Sequence, residues 1–201
     1  MTPAAIGFRA HTGWAAMVAV AGNPEGPTII DRRRIELIPG SEQGHVYHAA
    51  RELNLPAARA LVARVLAESS ARARGAIAAA VEEFREKGWR VGAAGVVLGN
   101  SALPSELERI LASHALVHSA EGELFRKALV SGSEACGLAV SGVPANALHQ
   151  RAREALSLGP SDLERRLAEL GKAAGRPWAQ DQKESAIVAW VALALHLGAR
   201  K

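Results

Sequence analysis

The chain has 201 residues, of which 49% are apolar and 22% charged, with a single cysteine and a formal net charge of +4. That balance suits one domain spanning residues 1–201, and it excludes a disordered polyelectrolyte, a fibrous repeat and a disulfide-stapled scaffold. Cys136 has no partner for an internal disulfide, so a reducing, cytoplasmic setting is expected, and the modest positive charge permits a nucleic-acid partner without demanding one.

Residues 4–10 and 14–21 are apolar, rich in small and β-branched side chains, and separated by a tight turn at Gly13. They read as a hairpin. The turn formers "NPEGP" at 23–27 lead into a third strand over 28–38, which completes an antiparallel meander. A polar connection follows at 39–54. The positions Leu61, Val65, Leu66, Ile77, Val81 and Phe84 then recur at helical spacing, so a long helix is predicted from about Pro56 to residue 87, ended by Gly88. "WRVGAAGVVLGN" at 89–100 reads as a strand buried on both faces. Residues 102–137 read as helix, with Ser105 as cap and possible breaks at Gly122 and Gly132. "LAVSGVP" at 138–144 reads as another buried strand. The remainder is predicted helical at 145–157, 161–174 and 180–197, with Ser161 and Glu164 forming a capping box. The order β-β-β-α-β-α-β-α-α-α predicts an α/β fold: a mixed five-stranded sheet with a three-stranded antiparallel meander, two parallel strands and helices on both faces.

The opening "MTPAAIGFRAH" lacks the basic region and long apolar run of a secretory signal. The most apolar segment, "AIVAWVALALHLG" at 186–198, falls short of the roughly 20 residues needed to span a bilayer. It reads as a core helix, and no membrane partner is expected.

Polar groups with possible chemistry fall in three places. Within "DRRRIE", Arg32 and Arg34 share one face of a strand and Arg33 takes the other. They read either as an edge strand protected by charge or as a phosphate-contacting ridge. In "SHALVHSAEGELFR", His114, His118 and Glu121 fall on one helical stripe. They read as hydrogen-bonded structural groups, as ligands for a transition metal such as zinc, or as an acid–base pocket. Ala115 stands where a zincin needs glutamate, which excludes that mechanism. His45, Tyr47 and His48 occupy the 39–54 connection, either solvated or folded over the end of the first strand. Cys136 reads as a small buried hydrophobe, and the four tryptophans as core or rim packing. No G-x-S-x-G and no P-loop motif occurs.

The element order, the hairpin "IGFRAHTGWAAMVAV" and the final "QDQKESAIVAWVALALHLG" resemble the ribonuclease-H-like superfamily, in particular the bacterial Holliday-junction resolvases and their relatives. That resemblance implies catalysis by two divalent ions held by carboxylates of the first strand, the fourth strand and the last helix. The sequence departs from this pattern. Arg9 stands where the first-strand aspartate is expected, with His11 behind it, and Gly99, Asn100 and Ser101 stand where the fourth-strand glutamate would be. Only Asp181 and Glu184 in the last helix match. The sugar-kinase and actin-like relatives need two such halves, and one is present.

Three functional expectations follow. The first is a ribonuclease-H-like protein without the usual nuclease site, binding nucleic acid or another phosphorylated partner through Arg9, Arg32 and Arg34. The second is an enzyme of unknown reaction with a pocket of His11, His114, His118 and Glu121, with Asp181 and Glu184 as further catalytic candidates. The third is an interaction protein whose apolar final helix serves a homodimer interface. The residues do not specify a cofactor.

Overall fold

The computed structural model describes residues 1–39 and 45–199. Strands β1 (Thr2–His11) and β2 (Trp14–Ala21) pair antiparallel from Ala4↔Ala21 to His11↔Trp14. Gly13 makes the turn between them at φ +80°, a conformation that costs glycine nothing. Strand β3 (Thr28–Glu36) pairs antiparallel with β2. The turn before it is closed by the Asn23 side chain, which accepts from the Glu25 N–H.

A short helix α1 (Val46–Arg51) precedes the long α2 (Leu55–Glu86), which opens with Pro56 and is capped by Asn54 Oδ1 accepting from Ala57 N–H at 3.0 Å. Strand β4 (Trp89–Leu98) runs parallel to β1. Helices α3 (Leu107–Leu111) and α4 (His114–Ala135) follow, then β5 (Ala139–Pro144), parallel to β4. A 3₁₀ turn at Ala145–Ala147 leads to α5 (Leu148–Leu156), α6 (Pro160–Ala174) and α7 (Gln180–Gly198). The sheet order is β3-β2-β1-β4-β5.

One face of the sheet packs on α2 and α4 through Ile6, Phe8, Met17, Ile77, Phe84 and Phe125. The other face is covered by α7, with α5 and α6 beside it. Helix α7 is apolar all round because it is enclosed all round, and every residue from Ser185 to Leu193 is buried. Two glycines let it sit unusually low. A Cβ on Gly7 would run into the Ser185 carbonyl and Ala189, and one on Gly95 into the Val188 carbonyl. Ser185 Oγ donates to the Ala16 carbonyl and Trp190 Nε1 to the Pro24 carbonyl, at 3.1 and 2.7 Å. These contacts set the position of the α7 N-terminus over the end of β1.

Several local expectations are corrected. The predicted helix over 102–137 is two helices. Ser105 does not cap it, Ser113 caps α4, and Gly122 and Gly132 lie within an unbroken helix. Ser161 and Glu164 form no capping box, because α6 starts at Pro160 with Gly159 before it. β5 is an edge strand with only Val143 buried. Part of the 39–54 connection is helix α1, and residues 40–44 lie outside the described residues. Residues Ser185–Leu193 of α7 are buried within the chain itself, and Leu195 beyond them is exposed. No described helix is long and apolar enough to cross a membrane.

Candidate functional site

The period-2 alternation of β1 sends Ile6, Phe8 and Ala10 into the α2–α4 core and turns Gly7, Arg9 and His11 toward α7. The first turns of α7 bring Asp181 and Glu184 over those positions. Arg9 Nε lies 2.7 Å from Glu184 Oε2, and His11 Nε2 lies 2.9 Å from Asp181 Oδ1. The Arg9 and Glu184 side chains keep 28% and 16% of their exposure, so this pair is substantially desolvated. Glu184 Oε2 and His11 Nε2 lack the alignment of directed hydrogen bonds, so both contacts rest on close approach of complementary groups.

The row continues across β2 and β3. His11 stacks on Trp14 with ring centroids 4.2 Å apart. From the strand on the other side of β2, the Arg34 guanidinium carbon lies 4.2 Å from the Trp14 ring centroid, and Arg34 pairs with Glu36 at 2.5 Å. Trp14, Arg34 and His45 line a hollow of about 400 Å³ at this end of the sheet.

On the other side of β1, the end of β4 also lacks a carboxylate. Gly99 and Gly122 leave room for the Arg126 guanidinium, which packs against both and pairs with Glu123 at 3.0 Å. Asn100 Oδ1 accepts from Asn146 N–H at 2.9 Å and so ties the strand to the 3₁₀ turn.

Comparison with known proteins identifies the architecture. The chain superposes on the structure of Thermus thermophilus RuvC with a TM-score of 0.54 at 12% identity, covering 98% of this chain and 97% of that one. It superposes on T. thermophilus RuvC in complex with Holliday junction substrate with a TM-score of 0.51 at 10% identity, covering 95% and 91%. The fold is ribonuclease-H-like. No protein-family model and no curated protein matches the chain.

The two metal ions that the ribonuclease-H-like resemblance implied do not fit these residues. Hard divalent cations need several carboxylate oxygens. Here Glu184 is taken by Arg9, Asp181 by His11, and a guanidinium rather than a carboxylate packs beside the end of β4.

The other expected groups are placed as follows. Arg32 donates to the carbonyls of Ala174, Gly175 and Pro177, capping the end of α6. Arg33, on the opposite face, bonds Asp31 and Glu83, and the Asp31 hydrogen bond is the main cause holding its pKa above the ordinary guanidinium value. The three arginines of this edge strand are thus all engaged within the chain. Arg32→Ala is expected to cost about 1–2 kcal/mol, the worth of charge-assisted bonds to backbone at a half-exposed site, read as a shifted denaturant midpoint with an unchanged slope.

His114 and His118 come together around His48, and Glu121 meets His48 rather than the two α4 histidines. His11 is not among them, so the four-residue pocket is not assembled. His11 points to α7 instead. Glu121 is 4% exposed and accepts from the N–H groups of Val46, Tyr47 and His48 at 2.8–3.1 Å, closing the N-terminus of α1. Its Oε1 also lies 3.1 Å from His48 Nδ1. Burial, then the Glu121 charge, pushes the Tyr47 phenol above its ordinary pKa. Cys136 is half-buried and packs against the core, and burial raises its thiol. The sequence singled out His48 only with the 39–54 connection and Trp14 only as packing, so neither was tied to the groups it meets. The glycine pair Gly99 and Gly122 was the one local signal that a long side chain, that of Arg126, passes the end of β4.

Proposed function

We propose that this chain binds nucleic acid and does not cut it. The observation that carries the second half is the double pairing Arg9–Glu184 and His11–Asp181, which sets a guanidinium and an imidazole against the carboxylates that would have to act together on a metal. Support for the first half is the likeness in fold to RuvC, solved with Holliday junction substrate, and the +4 net charge.

The pairing also changes which cations are left for phosphate. Arg9 and Arg34 are neutralised by Glu184 and Glu36. Arg32 is held by carbonyls, which satisfy its donors and leave its charge uncompensated. The segment it holds runs directly into α7, and there Arg176 and Lys183 are exposed with no partner among the described residues. Arg176, Lys183 and Arg32, which lies beside the Arg176 segment, are the cations we assign to a phosphate backbone.

Fluorescence anisotropy with a labelled duplex, a single strand and a four-way junction tests this reading. Binding is expected at low salt and should weaken steeply as salt rises. Reversing both charges in Arg176→Glu with Lys183→Glu should lower affinity at least tenfold and flatten the salt slope by about two, with folding unchanged. Strand scission should stay absent with Mg²⁺ or Mn²⁺. If none of the three probes binds at low salt, the reading is wrong.

A further inference from the structure

We infer that His48, His114 and His118 form a binding site for a divalent transition-metal ion of the zinc type, separate from the α7 end of the sheet. The residues come from two elements that the sequence keeps far apart, α1 and α4. Each offers one ring nitrogen, and the three nitrogens lie within 4.8 Å of one another. The rings cluster edge to face, with centroids 4.4 Å apart for His114 and His118, 4.8 Å for His48 and His118, and 5.8 Å for His48 and His114. Zinc–imidazole bonds of about 2.0–2.1 Å bring tetrahedral ligand nitrogens to about 3.3 Å from one another. Because His114 and His118 are exposed at the surface of α4, small ring rotations suffice to close that distance.

The second observation is Glu121. Its buried carboxylate faces His48 Nδ1 at 3.1 Å and is itself locked by three backbone N–H groups. A carboxylate accepting from Nδ1–H leaves Nε2 as the lone-pair nitrogen and fixes the ring's direction, which is the outer-shell arrangement that supports metal-bound histidines. The same bonds exclude the alternative group of His45, His48 and Glu121. A metal bound by Glu121 would have to displace the amides of Val46, Tyr47 and His48, whereas the three-histidine site leaves them in place. The donor set is three neutral nitrogens with no carboxylate among them, so it selects zinc, cobalt, nickel or copper over magnesium or calcium. The fourth position opens to solvent past His114 and His118.

The full chain, prepared without a polyhistidine tag and stripped with chelator, is titrated with Zn²⁺ by calorimetry and with Co²⁺ by visible absorption. One equivalent is expected to bind, with four-coordinate Co²⁺ bands and a higher melting temperature, while Mg²⁺ does neither. His114→Ala and His118→Ala change exposed side chains and should keep the fold by circular dichroism. Each should weaken Zn²⁺ binding at least a hundredfold, and Glu121→Gln tenfold or more. Failure of the wild-type chain to bind Zn²⁺ at micromolar concentration, or equal binding by the His114→Ala, His118→Ala double variant, overturns the assignment. Neither result depends on whether the protein binds nucleic acid.

Discussion

An Arg9→Asp chain is expected to melt far below the wild type and to regain part of the loss when Mn²⁺ or Mg²⁺ is added, while the wild type ignores both ions. Removing one member of a buried ion pair costs about 3–5 kcal/mol, and of a surface pair under about 1. The Arg9–Glu184 pair is intermediate in exposure, at 28% and 16%. The substitution also puts a third negative charge beside Glu184 and Asp181. A loss of about 3 kcal/mol follows, or roughly 6–12 °C for a chain of this size. Three carboxylates with only the His11 imidazole beside them are the group that a hard divalent ion relieves. Cleavage is not expected to appear, because Gly99, Asn100 and Ser101 still supply no carboxylate at the end of β4. If divalent ions shift the melting of wild type and variant equally, Arg9 is not what keeps metal out.

The second large effect belongs to Glu121→Ala. It removes a buried acceptor that serves the three N–H groups at the start of α1 and the His48 ring. Hydrogen bonds to a charged group are worth about 1.5–3 kcal/mol each, but they are not additive here because water can reach part of the freed helix end. A net loss of about 3 kcal/mol is expected, in chemical denaturation. It should be accompanied by fast hydrogen exchange at Val46, Tyr47 and His48 with the α2 amides still protected. Glu121→Gln keeps the size but turns one acceptor into a donor facing N–H groups, so it should recover only a small part. A loss below about 1 kcal/mol would mean that α1 stands without this cap.

How far these features could be read in advance depended on the range of the interaction behind them. The hairpin, the long α2 and the buried β4 follow from local periodicity and glycine punctuation, and they lie where that pattern puts them. The mixed character of the sheet, a three-stranded meander plus two parallel strands, follows from the same elements. Helix α1 was read as a polar connection because its six residues are too few to show a helical period. Its N–H groups are satisfied by a carboxylate 73–75 residues away. The ridge reading of Arg32 lacked its targets for the same reason, since the carbonyls it caps lie 142–145 residues further on. At the site, alternation told which β1 residues share a face, and the substitution at position 9 was plain. That Arg9 and His11 would each meet one carboxylate of the last helix depended on the height and rotation of α7 over the sheet, and those are set by packing.

The two glycines beneath α7 bear on the order in which the molecule assembles. Ser185 and Ala16, joined by a hydrogen bond, are separated by 169 residues, so this layer closes only after α7 has been made. Until then the α2–α4 side of the sheet can form from sequence-local pieces, while Ala5, Val18, Val20 and Ala93 on the other side stay in water. Such late, long-range closure slows folding and leaves an apolar half-sheet exposed on a nascent chain. Gly7 and Gly95 thus make α7 a late-docking lid for the sheet, and the charge pairing at its N-terminus is completed only when that lid is in place.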